Sequence, residues 1–297
     1  MNLLKECIVC PRKCGINRYK KKGICGATNR IKLAYYSLHM WEEPVLSGTK
    51  GSGTIFFSNC NLKCIYCQNK KISIEGYGKY ISQKKLVDIM LELQIKGAHN
   101  INLVTPTHYI PQIVSVLQKI KHKELKIPVV YNTSSYENVG SLMLMNNLVD
   151  IYLADLKYFD ESLAMNYSKC SDYFEIATMA IDEMFRQVGR FIINDEGLLV
   201  KGLIVRVLIL PGHVDDAKKV IKYLYKTFGD DIIISIMSQY TPVNVCIYSN
   251  LNRKINSQEY SEVIDYAVSL GIKNAFIQDG DSAQESFIPD FDSKIIV

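Results

Sequence analysis

Cys60, Cys64 and Cys67 lie in the segment Ser58-Asn59-Cys60-Asn61-Leu62-Lys63-Cys64-Ile65-Tyr66-Cys67-Gln68-Asn69, a C-x3-C-x2-C array. Thiolates at such spacing ligate metals. Three of them serve an iron–sulfur cluster that offers four iron corners, which leaves one iron open to bind and transform a small molecule. A zinc knuckle or a partial ferredoxin-type site is the alternative, since thiolates also suit zinc. The chain has nine cysteines in 297 residues. At about 3%, two more at fixed offsets from a given cysteine arise by chance about once in a thousand trials, so the array is a signal. Fully extended, the steps from Cys60 to Cys67 would span roughly 23 Å. Ligands of one small cluster lie much closer, so the segment has to curl into a loop.

The elements around the loop place it. Gly53-Thr54-Ile55-Phe56-Phe57 is a short β-branched and aromatic run and reads as a buried strand, so the cysteines leave its C-terminal end. Helix and strand patterns then alternate. Ser82 caps a helix carried by Leu86, Ile89, Met90 and Leu93 and stopped at Gly97. Asn102-Leu103-Val104 is a strand, and Pro111 opens the next helix. Further strands are expected at 128–131, 149–153, 203–210 and 232–236, with helices at 173–188, 215–228 and 257–270 and a terminal strand at 275–277. Six strands counted from Thr54, each followed by a helix or long connection, imply a parallel α/β sheet. Its open alternatives are a partial barrel and a flat doubly wound sheet. A complete eight-unit barrel uses about 250 residues, more than the sequence offers after Gly53.

A second cysteine group precedes this unit. Cys7, Cys10, Cys14 and Cys25 follow the pattern C-x2-C-x3-C-x10-C among glycines and basic residues. Four thiolates would close either a zinc site or a second [4Fe–4S] cluster, and spacing does not choose between them. The site would be structural, or an auxiliary cluster that relays electrons or contacts substrate. The chain is therefore divided into a Cys-rich segment at 1–50, with an auxiliary metal site, and an α/β unit with a C-terminal extension at 51–297. Seven of the nine cysteines fall in the two groups, which argues for reduced thiols in the cytoplasm and against a secreted disulfide framework. No apolar stretch approaches the roughly 20 residues of a membrane span, and the first residues lack a signal-peptide pattern. The net charge of +5 is mild. It permits an acidic partner, such as a flavodoxin-like reductant or RNA at the basic N-terminal run, without requiring nucleic acid.

The Cys60 array resembles the cluster loop of the radical S-adenosylmethionine (radical SAM) superfamily. That resemblance implies a partial (β/α)6 TIM-type barrel, a [4Fe–4S] cluster on Cys60, Cys64 and Cys67, and S-adenosylmethionine at the open iron. It also implies reductive cleavage of the cofactor to a 5′-deoxyadenosyl radical. Over nearly the whole chain the sequence is similar to the pyruvate formate-lyase-activating-enzyme-related iron–sulfur proteins. The matching segments include Cys7-Ile8-Val9-Cys10-Pro11-Arg12-Lys13-Cys14-Gly15, Glu42-Glu43-Pro44 and 51–57, 100–109 and 150–158. This closer resemblance implies that Tyr66 flanks the adenine and that Thr105 and Thr107 meet the methionyl amine. It implies that Asn132 stands at the end of the third strand, that Asp155 and Lys157 bind at the fourth, with the lysine on the cofactor's carboxylate, and that Arg206 serves from the fifth. Each residue type suits its partner: cations for a carboxylate, hydroxyls and amides for amine and ribose.

Two departures matter. Asn132 stands where the activases have an acid. Ser235-Ile236-Met237-Ser238-Gln239-Tyr240-Thr241-Pro242 replaces a segment that carries a cofactor-contacting histidine, so Gln239 or Tyr240 is expected on the substrate side. His108 and His213 read as core or surface residues, and Cys170 and Cys246 as buried structural thiols. The function implied is hydrogen abstraction from a protein glycine, a peptide or another substrate, with a flavodoxin- or ferredoxin-like reductant. RNA or small-metabolite modification, and a non-catalytic iron–sulfur carrier, are the competing readings.

Overall fold

The structure is a computed structural model and describes residues 3–243 and 245–278. The expected C-terminal extension beyond 278 lies outside the described residues. Ten strands form one sheet: β1 Ile31–His39, β2 Ser52–Phe57, β3 Lys79–Ile81, β4 Ile101–Val104, β5 Val129–Thr133, β6 Ile151–Asp155, β7 Ile192–Ile193, β8 Leu199–Leu208, β9 Ile233–Met237 and β10 Ala275–Ile277. Their spatial order is β10-β9-β8-β6-β5-β4-β2-β1-β3, with β7 paired beside β8. Every neighbouring pair from β2 to β10 along this order is parallel, whereas β1 lies antiparallel to both β2 and β3. The order has two ends, so the barrel is open. This is the expected parallel α/β partial barrel.

The main crossover helices are α1 Gln83–Ile95, α2 Ile110–Ile120, α3 Glu161–Ser168, α4 Tyr173–Val188, α5 Val214–Phe228 and α6 Ser257–Ser269. Ser82 caps α1 by accepting from the Lys85 amide. Leu86, Ile89, Met90 and Leu93 are its buried face, the i, i+3, i+4, i+7 stripe that packs a helix on a sheet. Along the strands, side chains alternate between this helix-facing core and the barrel interior. Val130, Leu153, Ile204 and Ile233 form an apolar plug on the inner face. Two residues further along the same face come Asn132, Asp155, Arg206 and Ser235. The inner face thus changes from aliphatic to polar at the C-terminal ends of the strands, where chemistry sits in such barrels.

β1 and α3 are absent from the sequence-based expectation. In β1 the period-2 alternation is broken, because the register with β2 shifts between Leu33 and Tyr35 and leaves Leu33, Ala34, Tyr35 and Tyr36 all buried. This strand lies within residues 1–50 yet extends the same sheet that carries the cysteine loop.

Gly78 leads into β3 with φ +135°, and a Cβ there would overlap both Ser58 Oγ and the Leu33 carbonyl oxygen. That backbone contact cannot move aside without shifting β1. Gly78→Ala is therefore expected to destabilise the fold by roughly 2–4 kcal/mol, measured as a fall in the urea midpoint at constant slope. An unchanged midpoint would show that β3 can drift from β1 at little cost.

Candidate active site

A cavity of about 280 Å3 opens at the C-terminal ends of the strands. Its wall includes Cys60, Cys64 and Cys67 from the loop after β2, together with Tyr66, Thr105, Asn132, Asp155, Lys157 and Arg206. Strands far apart in sequence bring these residues together. Thr105 follows β4 and holds φ +57°, an unusual conformation for a β-branched residue and a place where backbone strain collects at functional sites. Its amide donates to the Asn132 carbonyl at 2.9 Å. Asp155 and Arg206 are partners in the β6–β8 register, and Arg206 faces Ser235 in β9.

Each loop cysteine sulfur is hydrogen-bonded within the protein. The Leu62 amide donates to Cys60 Sγ at 3.4 Å, Ser168 Oγ donates to Cys64 Sγ at 3.0 Å, and Cys67 Sγ lies 3.2 Å from Ser73 Oγ. All three thiols are free of disulfides. Burial raises the Cys64 pKa to about 12 and raises that of Cys67. Near neutral pH such sulfurs ionise only with positive charge bound against them, which a metal centre provides. Among the described residues no three His, Cys, Asp or Glu side chains converge on a single ion. Cys60, Cys64 and Cys67 all line the cavity wall.

Ser168, at the end of α3, was missed by sequence reasoning. Its signal was the Asp160 cap, whose carboxylate accepts from the Ser162 and Leu163 amides and starts this helix. Tyr66 OH, Tyr158 OH and Ser168 Oγ follow one another at 2.6 and 2.8 Å, so hydroxyls can donate in sequence toward Cys64. Burial holds Tyr66 and Tyr158 well above the usual tyrosine range, which keeps them protonated donors.

The charged residues are paired. Lys157 Nζ donates to Asp155 Oδ2 at 2.6 Å. Burial alone would lower the Lys157 pKa, but Asp155 and the nearby Cys64 sulfur hold it at about 12. Arg206 lies between two carboxylates, Glu42 and Glu43, from the connection after β1. Burial opposes its charge, and those carboxylates more than offset that effect. Arg206 lines the cavity, but its guanidinium donates to protein carboxylates. The family resemblance implied a role toward the cofactor for Arg206, and nothing near it in the chain marks this pairing across more than 160 residues.

The structure does not bring Thr107 to the cavity beside Thr105. It is 1% exposed, lies off the cavity wall, and donates to Glu137 Oε1 at 2.6 Å. Thr133 and Tyr131 donate to the same oxygen. Burial raises the Glu137 pKa to about 7, less than it would without these donors. His108 is likewise internal, its Nε2 2.9 Å from the Ser58 carbonyl, and burial lowers its pKa to about 3. His213 is bound to Tyr167 and Asn250 away from the cavity. Gln239 and Tyr240 do line the cavity. Cys170 is buried and Cys246 half-buried.

An open parallel βα barrel with three loop cysteines at its mouth defines a class of cluster-bearing enzyme. The model of the radical SAM superfamily matches residues 54–224, and the chain belongs to that superfamily. It is 31% identical over 280 residues to the uncharacterized protein MJ0674 of Methanocaldococcus jannaschii, covering 90% of this chain and 75% of that one. In fold it is similar to Streptococcus suis SuiB bound to S-adenosylmethionine, with a TM-score of 0.51, 14% identity, and coverage of 74% of this chain and 48% of SuiB. SuiB bound to its precursor peptide SuiA gives a TM-score of 0.52 at 14% identity over 75% and 47% of the two chains. The chain therefore spans about half the length of these solved structures. Membership implies an enzyme of radical chemistry that uses a [4Fe–4S] cluster and S-adenosylmethionine. Cys60, Cys64 and Cys67 have the donor chemistry to hold that cluster. No helix among the described residues is long and apolar enough to cross a membrane.

Two predictions follow from the buried polar groups. Hydrogen bonds to cluster sulfurs raise the reduction potential, so Ser168→Ala should shift the cluster midpoint to more negative values in an EPR-monitored redox titration. An unmoved midpoint would remove Ser168 from that role. Glu137 has a folded pKa of about 7 against an ordinary 4.5. Its contribution to stability is complete below pH 4.5 and is lost as pH rises through 7, a change of roughly 3 kcal/mol. Glu137→Gln should remove that slope from denaturant midpoints compared between pH 5 and pH 8, and parallel profiles would contradict the assignment.

Proposed function

We propose that this protein uses a 5′-deoxyadenosyl radical to abstract hydrogen from a residue of a polypeptide substrate. The observation that carries the reading is the placement of the three cysteines, Tyr66, Thr105, Asn132 and Lys157 around one cavity. When bound, a [4Fe–4S] cluster with S-adenosylmethionine supplies one-electron cleavage of the sulfonium and, from it, a hydrogen-abstracting radical. The electron would come from a flavodoxin- or ferredoxin-like reductant.

In this reading the protein's own residues bind, orient and exclude water. Lys157, held charged by Asp155, meets the cofactor's carboxylate. Thr105 and Asn132 offer a hydroxyl and an amide to its amine. Asn132, being neutral, gives up the charge–charge contact that an acid would make at this position. Tyr66 presents its ring beside Tyr240, at 5.9 Å between centroids, and supplies a flat apolar surface for a purine. Glu42 and Glu43 fix Arg206 at the cavity floor. His39, Trp41, Gln68 and Gln239 complete the wall with polar and aromatic groups suited to a peptide backbone. The precursor peptide bound by SuiB supports the same substrate class. The sequence resemblance to activases of glycyl-radical enzymes places a protein glycine among the candidates, although the histidine of their sixth strand is absent.

The test is anaerobic reconstitution with iron and sulfide, followed by dithionite and S-adenosylmethionine. 5′-Deoxyadenosine should form in the wild type and fall to background in Cys64→Ala. Lys157→Met should raise KM for S-adenosylmethionine roughly ten- to hundredfold, the worth of one charge-assisted hydrogen bond. A fully loaded cluster that cleaves no cofactor would overturn the reading. Deuterium transfer into 5′-deoxyadenosine from labelled polypeptide, and not from RNA or metabolites, would identify the substrate class.

A further inference from the structure

Residues 7–27 form two tight turns that carry the four N-terminal cysteines. In the first, the Cys7 amide donates to the Ile16 carbonyl at 2.9 Å, the Gly15 amide to the Cys7 carbonyl at 3.0 Å, and the Lys13 amide to the Cys10 carbonyl at 3.0 Å. In the second, the Gly23 amide donates to the Ala27 carbonyl and the Gly26 amide to the Gly23 carbonyl. The Ala27 amide also donates to Cys25 Sγ at 3.4 Å. The turns face each other across Gly23. A Cβ at that glycine would stand 3.2 Å from Cys25 Sγ and 3.7 Å from Cys14 Sγ. Cys7, Cys10 and Cys25 are buried, and none of the four thiols is in a disulfide.

A second observation concerns charge. Arg18 is 1% exposed. Among the described residues its guanidinium donates to the carbonyls of His108 at 2.6 Å and Thr28 at 2.5 Å, and no carboxylate pairs with it. Its Nε is buried without a partner. A guanidinium stays charged, and a buried charge without an opposite charge is strongly disfavoured. Thr28, whose carbonyl takes this guanidinium, directly follows the turn that carries Cys25. Four thiolates on a zinc ion, or on a [4Fe–4S] cluster in its resting charge, carry a net charge of about −2, which supplies the missing anion.

The third observation links this segment to the catalytic loop. Arg12, between Cys10 and Cys14, donates from Nε to the Asn61 carbonyl at 3.0 Å and from Nη2 to the Leu62 carbonyl at 3.3 Å. Lys63 Nζ donates to the Cys25 carbonyl at 3.3 Å. Gly26 lies against Asn59, whose Oδ1 would stand 2.8 Å from an added Cβ. Asn59 and Lys63 both hold positive φ, 77° and 66°, so the loop needs outside contacts to keep its curl.

We propose that Cys7, Cys10, Cys14 and Cys25 form an anionic tetrathiolate metal site with Arg18 as its buried counter-cation, and that loading this site braces residues 58–63 of the catalytic loop. As in the Cys60 loop, the thiols do not converge on a single ion. The backbone nevertheless presents all four from two facing turns, and the occupant is either one zinc or an iron–sulfur cluster.

The test uses the full chain with Cys60, Cys64 and Cys67 all replaced by alanine, produced and reconstituted anaerobically. Metal and sulfide analysis should find about one zinc, or about four irons with as many sulfides. Adding Cys14→Ser, at the least buried of the four positions, should abolish that metal. It should also speed amide hydrogen exchange across residues 58–63 at least tenfold. A folded triple variant that holds neither metal overturns the site. Metal loss with unchanged exchange overturns the bracing. Neither measurement uses S-adenosylmethionine, so either failure leaves the radical reading standing.

Discussion

A short loop at the end of β2 has to turn back on itself while three of its side chains face one cavity, and much of the surrounding structure restrains that curl. The loop has no regular hydrogen-bond ladder of its own. Its backbone is pinned from outside: the Asn59 amide donates to Ile72, the Ile65 amide to Tyr167, and the Asn61 side chain to the Tyr136 carbonyl. Arg12 reaches in from the N-terminal segment to the carbonyls of Asn61 and Leu62. Buried backbone groups must find partners somewhere. Here the loop's backbone groups and the Asn61 side chain together find them on four separate parts of the chain, so the loop geometry is a property of the assembled fold.

The second constraint is electrostatic. The cavity gathers Asp155, Lys157, Arg206 and Glu42 in a space largely shielded from water. Isolated charges there would be costly, and each is instead paired within the protein. Pairing leaves Lys157 charged and positioned, while Arg206 is held by two carboxylates delivered from the connection after β1. The antiparallel strand β1 thus contributes to the site twice: its last residue, His39, lines the cavity, and the connection after it places Glu42 and Glu43 beside Arg206 on the fifth parallel strand of the barrel.

The parallel unit was legible in the sequence because its strands are short apolar runs and its helices carry one buried stripe, as in Leu86, Ile89, Met90 and Leu93. The positions of Thr105, Asn132, Asp155 and Lys157 followed from their places at strand ends. β1 was not legible, since a register shift at Leu33 and Tyr35 breaks the alternation that marks a half-buried strand. Thr107 is only two residues from Thr105, yet the turn at 107–109 carries it into the core, where Glu137 takes its hydroxyl.

What the sequence determined by itself is local: three thiols at the spacing of a cluster loop, four more at a metal-like spacing, and a repeated βα pattern that brings strand ends together. Spacing along the chain suffices for these because ligand loops and secondary structure depend on near neighbours. Only the tertiary structure decided which polar groups meet. Ser168 reaches Cys64 across 104 residues, Glu42 and Glu43 hold Arg206 across more than 160, and Arg12 reaches Asn61 across 49. These partners are set by how strands and helices pack, and a side chain's sequence neighbours carry no record of what lies opposite it across a sheet.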